Sequence, residues 1–186
     1  MGVDIQLGFE NREGVESYPD YSFEHRLSRD FCTLMCRREA GFVEEPELDQ
    51  IGRLTGVDVE VLYRMERFVT CADEEGELER ASSAAERERV RAHARQQREA
   101  LRGNIDGVIG TIEELIAKLT AIDDLPQRLV RNENVRLEVD RYFSNFEEEP
   151  GDGYIGNNFG QDLRNLRRTL LVLKEQGARA VFFVYG

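Results

Sequence analysis

Apolar and polar residues alternate at the start of the chain, with Val3, Ile5, Leu7 and Phe9 set against Asp4, Gln6, Gly8 and Glu10. Period two predicts a half-buried strand. At the other end, Ala180-Val181-Phe182-Phe183-Val184-Tyr185 is apolar on both parities. That pattern predicts a strand covered on both faces. Residues 11–23 carry Gly14, Ser17, Pro19, Asp20 and Ser22 and are expected to be loop.

Between the two strands, spacings of three and four dominate, as helices with one buried face require. Leu27, Phe31, Leu34 and Met35 predict a helix over residues 25–40, closed by Gly41. Pro46 opens a second helix with Leu48, Ile51 and Leu54 inward and Gly56 at its stop. Asp58 is placed to cap a third, with Val61, Leu62, Met65 and Phe68 inward. Residues 73–102 are dense in Glu and Arg with little apolar face, which predicts a solvated helical arm.

The strongest periodicity follows. Leu101, Ile105, Val108, Ile112, Leu115, Leu119 and Ile122 keep an alternating four-three spacing, and it carries through Gly103 and Asn104. One continuous helix is expected there, ending before Pro126. Gly103, Gly107, Gly110, Ala117 and Ala121 form a second line nearly opposite, so this helix is expected to be flanked on both sides. Val135, Leu137 and Val139 predict a further strand, and Tyr142, Phe143 and Phe146 supply aromatic core. Asn158 and Gln161 match a capping box opening the last helix, with Leu163, Leu166, Leu170 and Leu173 inward and Gly177 as its stop. The resulting fold class is α+β and helix-dominated, one domain over residues 1–186, with several helices packed on a small sheet that includes the N- and C-terminal strands.

Composition narrows the function classes. The formal net charge of −12 disfavours general binding to phosphate backbones, which basic faces neutralise. It suits solubility or a basic protein partner. An odd count of three cysteines and the absence of a basic-then-apolar leader predict reduced thiols in the cytoplasm. No apolar run approaches the length of a membrane span.

Three constellations bear on chemistry. Residues 50–65 place Gly52 where two helices approach, Gly56 at a turn, and Val57, Leu62 and Met65 between the helices. This stretch resembles the helix-turn-helix of bacterial DNA-binding regulators, and the resemblance covers about twenty residues. It implies that Arg53, Asp58, Glu60, Tyr63 and Arg64 face the nucleic acid. Asp58 and Glu60 depart from the pattern, because they set negative charge against phosphates. The other reading of the same residues is two short helices packed in the core.

The second constellation is the run into the last helix. Gly156, Asn157, Asn158, Gly160 and Gln161 lead into free helix amides that could hold an anion or a nucleotide phosphate, with Arg164 one turn in. An ordinary capped helix is the plainer reading. Gly151-Asp152-Gly153-Tyr154-Ile155-Gly156 spells a dinucleotide fingerprint, but Glu147, Glu148, Glu149 and Pro150 stand where a buried strand should, so it counts as a chance match. The third is His25, Cys32 and Cys36 at helical spacing, with Cys71 available as a fourth ligand. Core packing is preferred, and no metal or other cofactor is assigned.

Neither His25 nor His93 has a persuasive setting beside a nucleophile, so no catalytic residue is assigned and the reading leans away from an enzyme, while catalytic residues converging from distant segments stay open. The expected function is a protein-interaction module, of inhibitor or immunity type, whose partner is another protein or another copy of the chain. A DNA-binding regulator and a small-anion binder are the alternatives.

Overall fold

A computed structural model describes residues 5–11, 13–18, 27–36, 45–130, 139–146 and 158–185. Strand β1 (Ile5–Asn11) lies at the centre of an antiparallel sheet, between β2 (Glu16–Ser17) and β3 (Ala178–Tyr185). The two terminal strands therefore share a small sheet, and the class is α+β with helices predominating. Leu7 pairs with Phe183 and Phe9 with Val181, and this face enters the main core.

On the opposite face Gly8 pairs with Phe182. A Cβ at Gly8 would meet Phe182 Cε2 at 2.3 Å, so only glycine admits the ring. Phe182 stacks on Phe68 with centroids 3.8 Å apart and planes 2° from parallel, and Leu101 completes this smaller cluster. The last strand is thus covered on both faces, as its unbroken apolar run implies. The loop expected at residues 11–23 contains β2. Asn11 Oδ1 accepts from the Glu13 and Val15 amides at 2.9 and 3.0 Å, which folds the chain back into a hairpin.

Among the described residues the helices are α1 (Arg29–Cys36), α2 (Glu47–Thr55), α3 (Glu60–Arg64), α4 (Cys71–Arg80), α5 (Ala84–Leu101), α6 (Ile105–Thr120), α7 (Leu125–Arg128), α8 (Val139–Tyr142) and α9 (Phe159–Glu175), with a 3-10 turn at Met65–Arg67. The first helix starts later than its apolar spacing implied. Leu27 and Ser28 precede it, and Ser28 Oγ caps it by accepting from the Phe31 amide at 3.2 Å. The rest of the expected 25–40 span lies outside the described residues. So do residues 131–138, most of the expected strand, and Val139 belongs to α8.

Helices α6 and α9 bury their apolar lines against each other. Ile105, Val108, Ile112, Leu115 and Leu119 come from one, and Leu163, Leu166, Leu170 and Leu173 from the other. Ion pairs at their rim, Glu113 with Arg167 at 2.7 Å and Asp106 with Lys174 at 2.6 Å, mark an antiparallel register. Beside them, the rings of Tyr142, Phe143 and Phe146 surround Phe159 at 5.8, 5.4 and 6.3 Å.

The stripe beginning at Leu101 does not form one helix. α5 ends at Leu101, Gly103 adopts a φ of +75°, and α6 restarts at Ile105. The apolar spacing survives the break because Leu101 packs in the smaller cluster and Ile105 in the main core. Asn104 explains the turn. Its Nδ2 donates to the Val181 carbonyl and its Oδ1 accepts from the Val181 amide, both at 2.8 Å. One side chain thereby pairs with the free edge of β3. Gln50, 1% exposed, does the same for Val130. Its Oε1 accepts from the Val130 amide at 2.7 Å, and its Nε2 donates to the Val130 carbonyl at 3.2 Å. Gly103, Gly107, Gly110, Ala117 and Ala121, the second line, are all exposed, and among the described residues nothing lies within 4 Å of a Cβ built at Gly107 or Gly110.

Candidate functional site

The helix pair of residues 47–67 has the turn its glycines implied. Gly56 takes a φ of +73° and its amide donates to the Gly52 carbonyl at 2.8 Å. A Cβ at Gly52 would meet Val59 at 3.0 Å, so the helix and the following turn approach closely there. Arg53 is exposed and paired with Glu45 at 2.6 Å. Asp58 is exposed, and its Oδ1 accepts from the Glu60 amide at 3.0 Å. Glu60 is half-buried and lies 3.8 Å from Arg64 and 3.2 Å from Arg67. Tyr63 is buried, 3% exposed, in the main core. The structure therefore pairs Glu60 with Arg64, pairs Arg53 with Glu45, and turns Tyr63 inward.

At the start of α9, Gly156 and Asn157 lie outside the described residues. Asn158 caps the helix, its Oδ1 accepting from the Gln161 amide at 3.0 Å while its Nδ2 donates to the Ser144 carbonyl. Gln161 is buried and reaches forward, not back to the cap, donating from Nε2 to Asn165 Oδ1 at 2.8 Å. Gly160 is closely packed, since a Cβ there would meet Arg164 Nη1 and Phe146 Cδ1 at 3.0 Å. Arg164 donates to the Phe146 carbonyl, and burial lowers its pKa from the usual arginine range. The cap and the guanidinium are thus both engaged with the chain's own backbone.

Next to this cap sits a polar cluster that sequence reasoning missed. Asp162, 1% exposed, accepts from the Ser28 amide at 2.7 Å, the Ser28 hydroxyl at 2.6 Å and the Tyr142 hydroxyl at 2.8 Å. It ties the starts of α1 and α9 to α8. Burial pushes its carboxyl up to about 7, against three donors that favour the ionised form. Tyr142, fully buried, is raised well above the usual phenol range by burial and then by the Asp162 charge. The available signal was an acid at position 162, inside the apolar line Phe159, Leu163, Leu166.

A groove of about 470 Å³ runs between the end of α6, α7 and the segment after α8. Asp123, Asp124, Asp140 and Asn145 line it, and Asp162 does not. Asp124 and Asn145 hold φ values of 57° and 54°, a region these two residue types tolerate. Among the described residues no cluster of three His, Cys, Asp or Glu side chains could hold a metal. His25 is outside the described residues. Cys32 is buried and its Sγ accepts from the Ile5 amide at 3.2 Å, whereas Cys71 is exposed on another element. Donation to Glu16 pushes the Cys71 thiol up, away from reactive thiolate.

The charged arm is a helical hairpin built from α4 and α5. Both helices open on capping boxes, Thr70 with Asp73 and Ser83 with Glu86. α4 has no buried residue, and α5 buries only Ala94 and Leu101. The base is tied to the body. Arg98 donates to the Val69 carbonyl at 2.9 Å and to Glu74 at 2.8 Å, and Glu16 of β2 accepts the Cys71 amide at 3.0 Å. α4 is acidic, with Asp73, Glu74, Glu75, Glu77 and Glu79 against Arg80. α5 is basic, with Arg87, Arg89, Arg91, Arg95 and Arg98 against Glu86, Glu88 and Glu99. Among the described residues no helix is long and apolar enough to cross a membrane.

No family model, curated protein or solved structure matches this chain.

Proposed function

We propose that the chain is a cytoplasmic, non-catalytic protein-interaction module whose working surface is the α4–α5 hairpin. One observation carries this reading: two capped, anchored helices bury only Ala94 and Leu101 between them. Ordering each backbone residue costs about 1–2 kcal/mol, and helices without a buried face are marginal alone. A partner surface supplies the missing burial. The body gives the complementary support, because Gln50, Asn104, Ser28 and Asp162 are engaged in holding its own backbone and hydroxyls. An inhibitor or immunity role, masking a charged surface of another protein, is the form this reading takes with a net charge of −12. The DNA-reading and anion-binding alternatives have less support, since Tyr63 is in the core and Arg164 serves the Phe146 carbonyl.

The test is affinity capture from the native host with the tagged full chain, beside a variant carrying Arg91→Glu and Arg95→Glu. Both positions are exposed, so the fold is kept. A stoichiometric partner, identified by mass, should be retained by the wild type and lost by the variant. Equal recovery by both, or no partner at all, would count against the hairpin as the working surface.

A further inference from the structure

We propose that the buried junction of Asp162, Ser28 and Tyr142 is a proton-operated latch, which frees the first turn of α1 when Asp162 loses its proton. Three elements meet there. Asp162 Oδ1 accepts from the Ser28 amide at 2.7 Å, and its Oδ2 accepts from the Ser28 hydroxyl at 2.6 Å and the Tyr142 hydroxyl at 2.8 Å. Ser28 Oγ in turn accepts from the Phe31 amide at 3.2 Å, so the cap of α1 hangs on the carboxyl of α9. Ser28 is 2% exposed, Asp162 1% and Tyr142 0%.

Each protonation state of this carboxyl carries a fault. Ionised, it is a buried charge that no cation among the described residues offsets. Asp30 of α1 acts on it with the same sign. Arg29 of α1 and Asp140 and Arg141 of α8 are exposed, and Arg164 of α9 donates to the Phe146 carbonyl. Neutral, the carboxyl holds a proton of its own, so one of its three donors loses an acceptor in a site closed to solvent. The two faults oppose each other, and the carboxyl titrates at about 7. Water relieves the ionised state. α1 supplies two of the three donors, and Leu27 and Arg29 on either side of Ser28 are half-buried and exposed. Lifting Ser28 therefore wets the carboxylate, while Phe31, buried against Phe159 and Phe183, limits the opening to that turn. In the open turn the carboxyl returns towards its ordinary 3.8. Opening then grows as pH rises from about 4 to about 7, where only the open form has released the proton, and levels off above about 7.

Amide hydrogen exchange of the full chain, read residue by residue by NMR, tests the latch. The Ser28 and Phe31 amides report its two backbone bonds. After correction for intrinsic base catalysis, their opening should grow about tenfold per pH unit between about pH 5 and about pH 7, then level off. In Asp162→Asn their opening should be constant over this range. Tyr142→Phe removes a donor to the ionised form, so the rise should continue to higher pH. The carboxyl carbon shift of Asp162 reports the proton itself and should titrate with the exchange. Urea below the unfolding transition should leave the Ser28 and Phe31 rates unchanged and speed the Ile112 and Leu115 amides of α6, because local opening exposes little surface. A carboxyl that titrates near its ordinary value, Ser28 and Phe31 openings independent of pH, an asparagine variant with the wild-type profile, or urea acceleration of both sets together would overturn the latch. The wild-type profile and the carboxyl shift decide between these outcomes even where the asparagine variant fails to fold.

Discussion

Replacing Asp162 by asparagine separates two opposed forces on one buried carboxyl. Burial disfavours its charge, while the Ser28 amide, the Ser28 hydroxyl and the Tyr142 hydroxyl favour it. With burial ahead, the group titrates at about 7 in the folded chain, against 3.8 as the ordinary value that the unfolded chain retains. The charged form is then about 4 kcal/mol less favourable once folded. Below pH of about 4 both states are protonated and the group contributes nothing. Between about 4 and about 7 the folded chain keeps a proton that the unfolded chain has released, so stability falls as pH rises. Above about 7 both states are ionised and the loss is complete. Asp162→Asn resembles the protonated form, because its amide can donate to hydroxyls that rotate to accept, and it does not titrate. Urea unfolding of both proteins across this range is the assay, and taking their difference cancels every other carboxylate. The stability of the variant relative to wild type should rise by about 2–3 kcal/mol from about pH 5 to about pH 8. A difference that stays flat, or that shifts towards wild type as pH rises, would refute the reasoning and put the three donors ahead of burial.

Other outcomes follow from single contacts. Asn104→Ala strips partners from both backbone groups of Val181 and should destabilise by about 1–3 kcal/mol in denaturant unfolding, with amide exchange at Val181 accelerated; unchanged exchange there would show that water replaces the side chain. Gly8→Ala drives a methyl into the buried Phe182 ring, which the Phe68 stack holds in place, and should lower stability by about 1–3 kcal/mol. Among the described residues nothing crowds a methyl at Gly107 or Gly110, so Gly107→Ala and Gly110→Ala should each raise the stability of the monomer by about 0.5–1 kcal/mol; a loss instead would mean that a neighbour covers this face in solution.

Much of the core was legible, because apolar periodicity reports which side of a helix or strand is buried. Leu48 and Ile51, Leu62 and Met65, and Leu163 through Leu173 all sit in the core their spacing assigned. What periodicity cannot report is which core a residue joins. Leu101 and Ile105 keep a perfect four-residue step while facing different clusters, so the break between α5 and α6 left no mark in the pattern. Nor can it report side chains that serve distant backbone. Asn104 acts on Val181 and Gln50 on Val130, partners 77 and 80 residues away. Arg164 was placed correctly one turn into α9, but its carbonyl partner, Phe146, lies 18 residues earlier in the chain. The arm was legible as charged and solvated, and Ser83 with Glu86 already spelled the capping box that divides it into a hairpin. The Asp162 cluster was hidden because Ser28 and Tyr142 come from other elements, and an acid on an apolar line has no partner in sequence.

The most direct test of the hairpin as a working surface is site-specific photo-cross-linking in the native host. A photoreactive residue replaces Arg91 on α5 in one chain, and Thr120 at the exposed end of α6 in another as the control. The expected result is a discrete, stoichiometric adduct from position 91 and none from position 120, its mass identifying a second copy or another protein. Absence of any adduct from position 91, or an equal one from position 120, would contradict the assignment of the hairpin as the interaction surface.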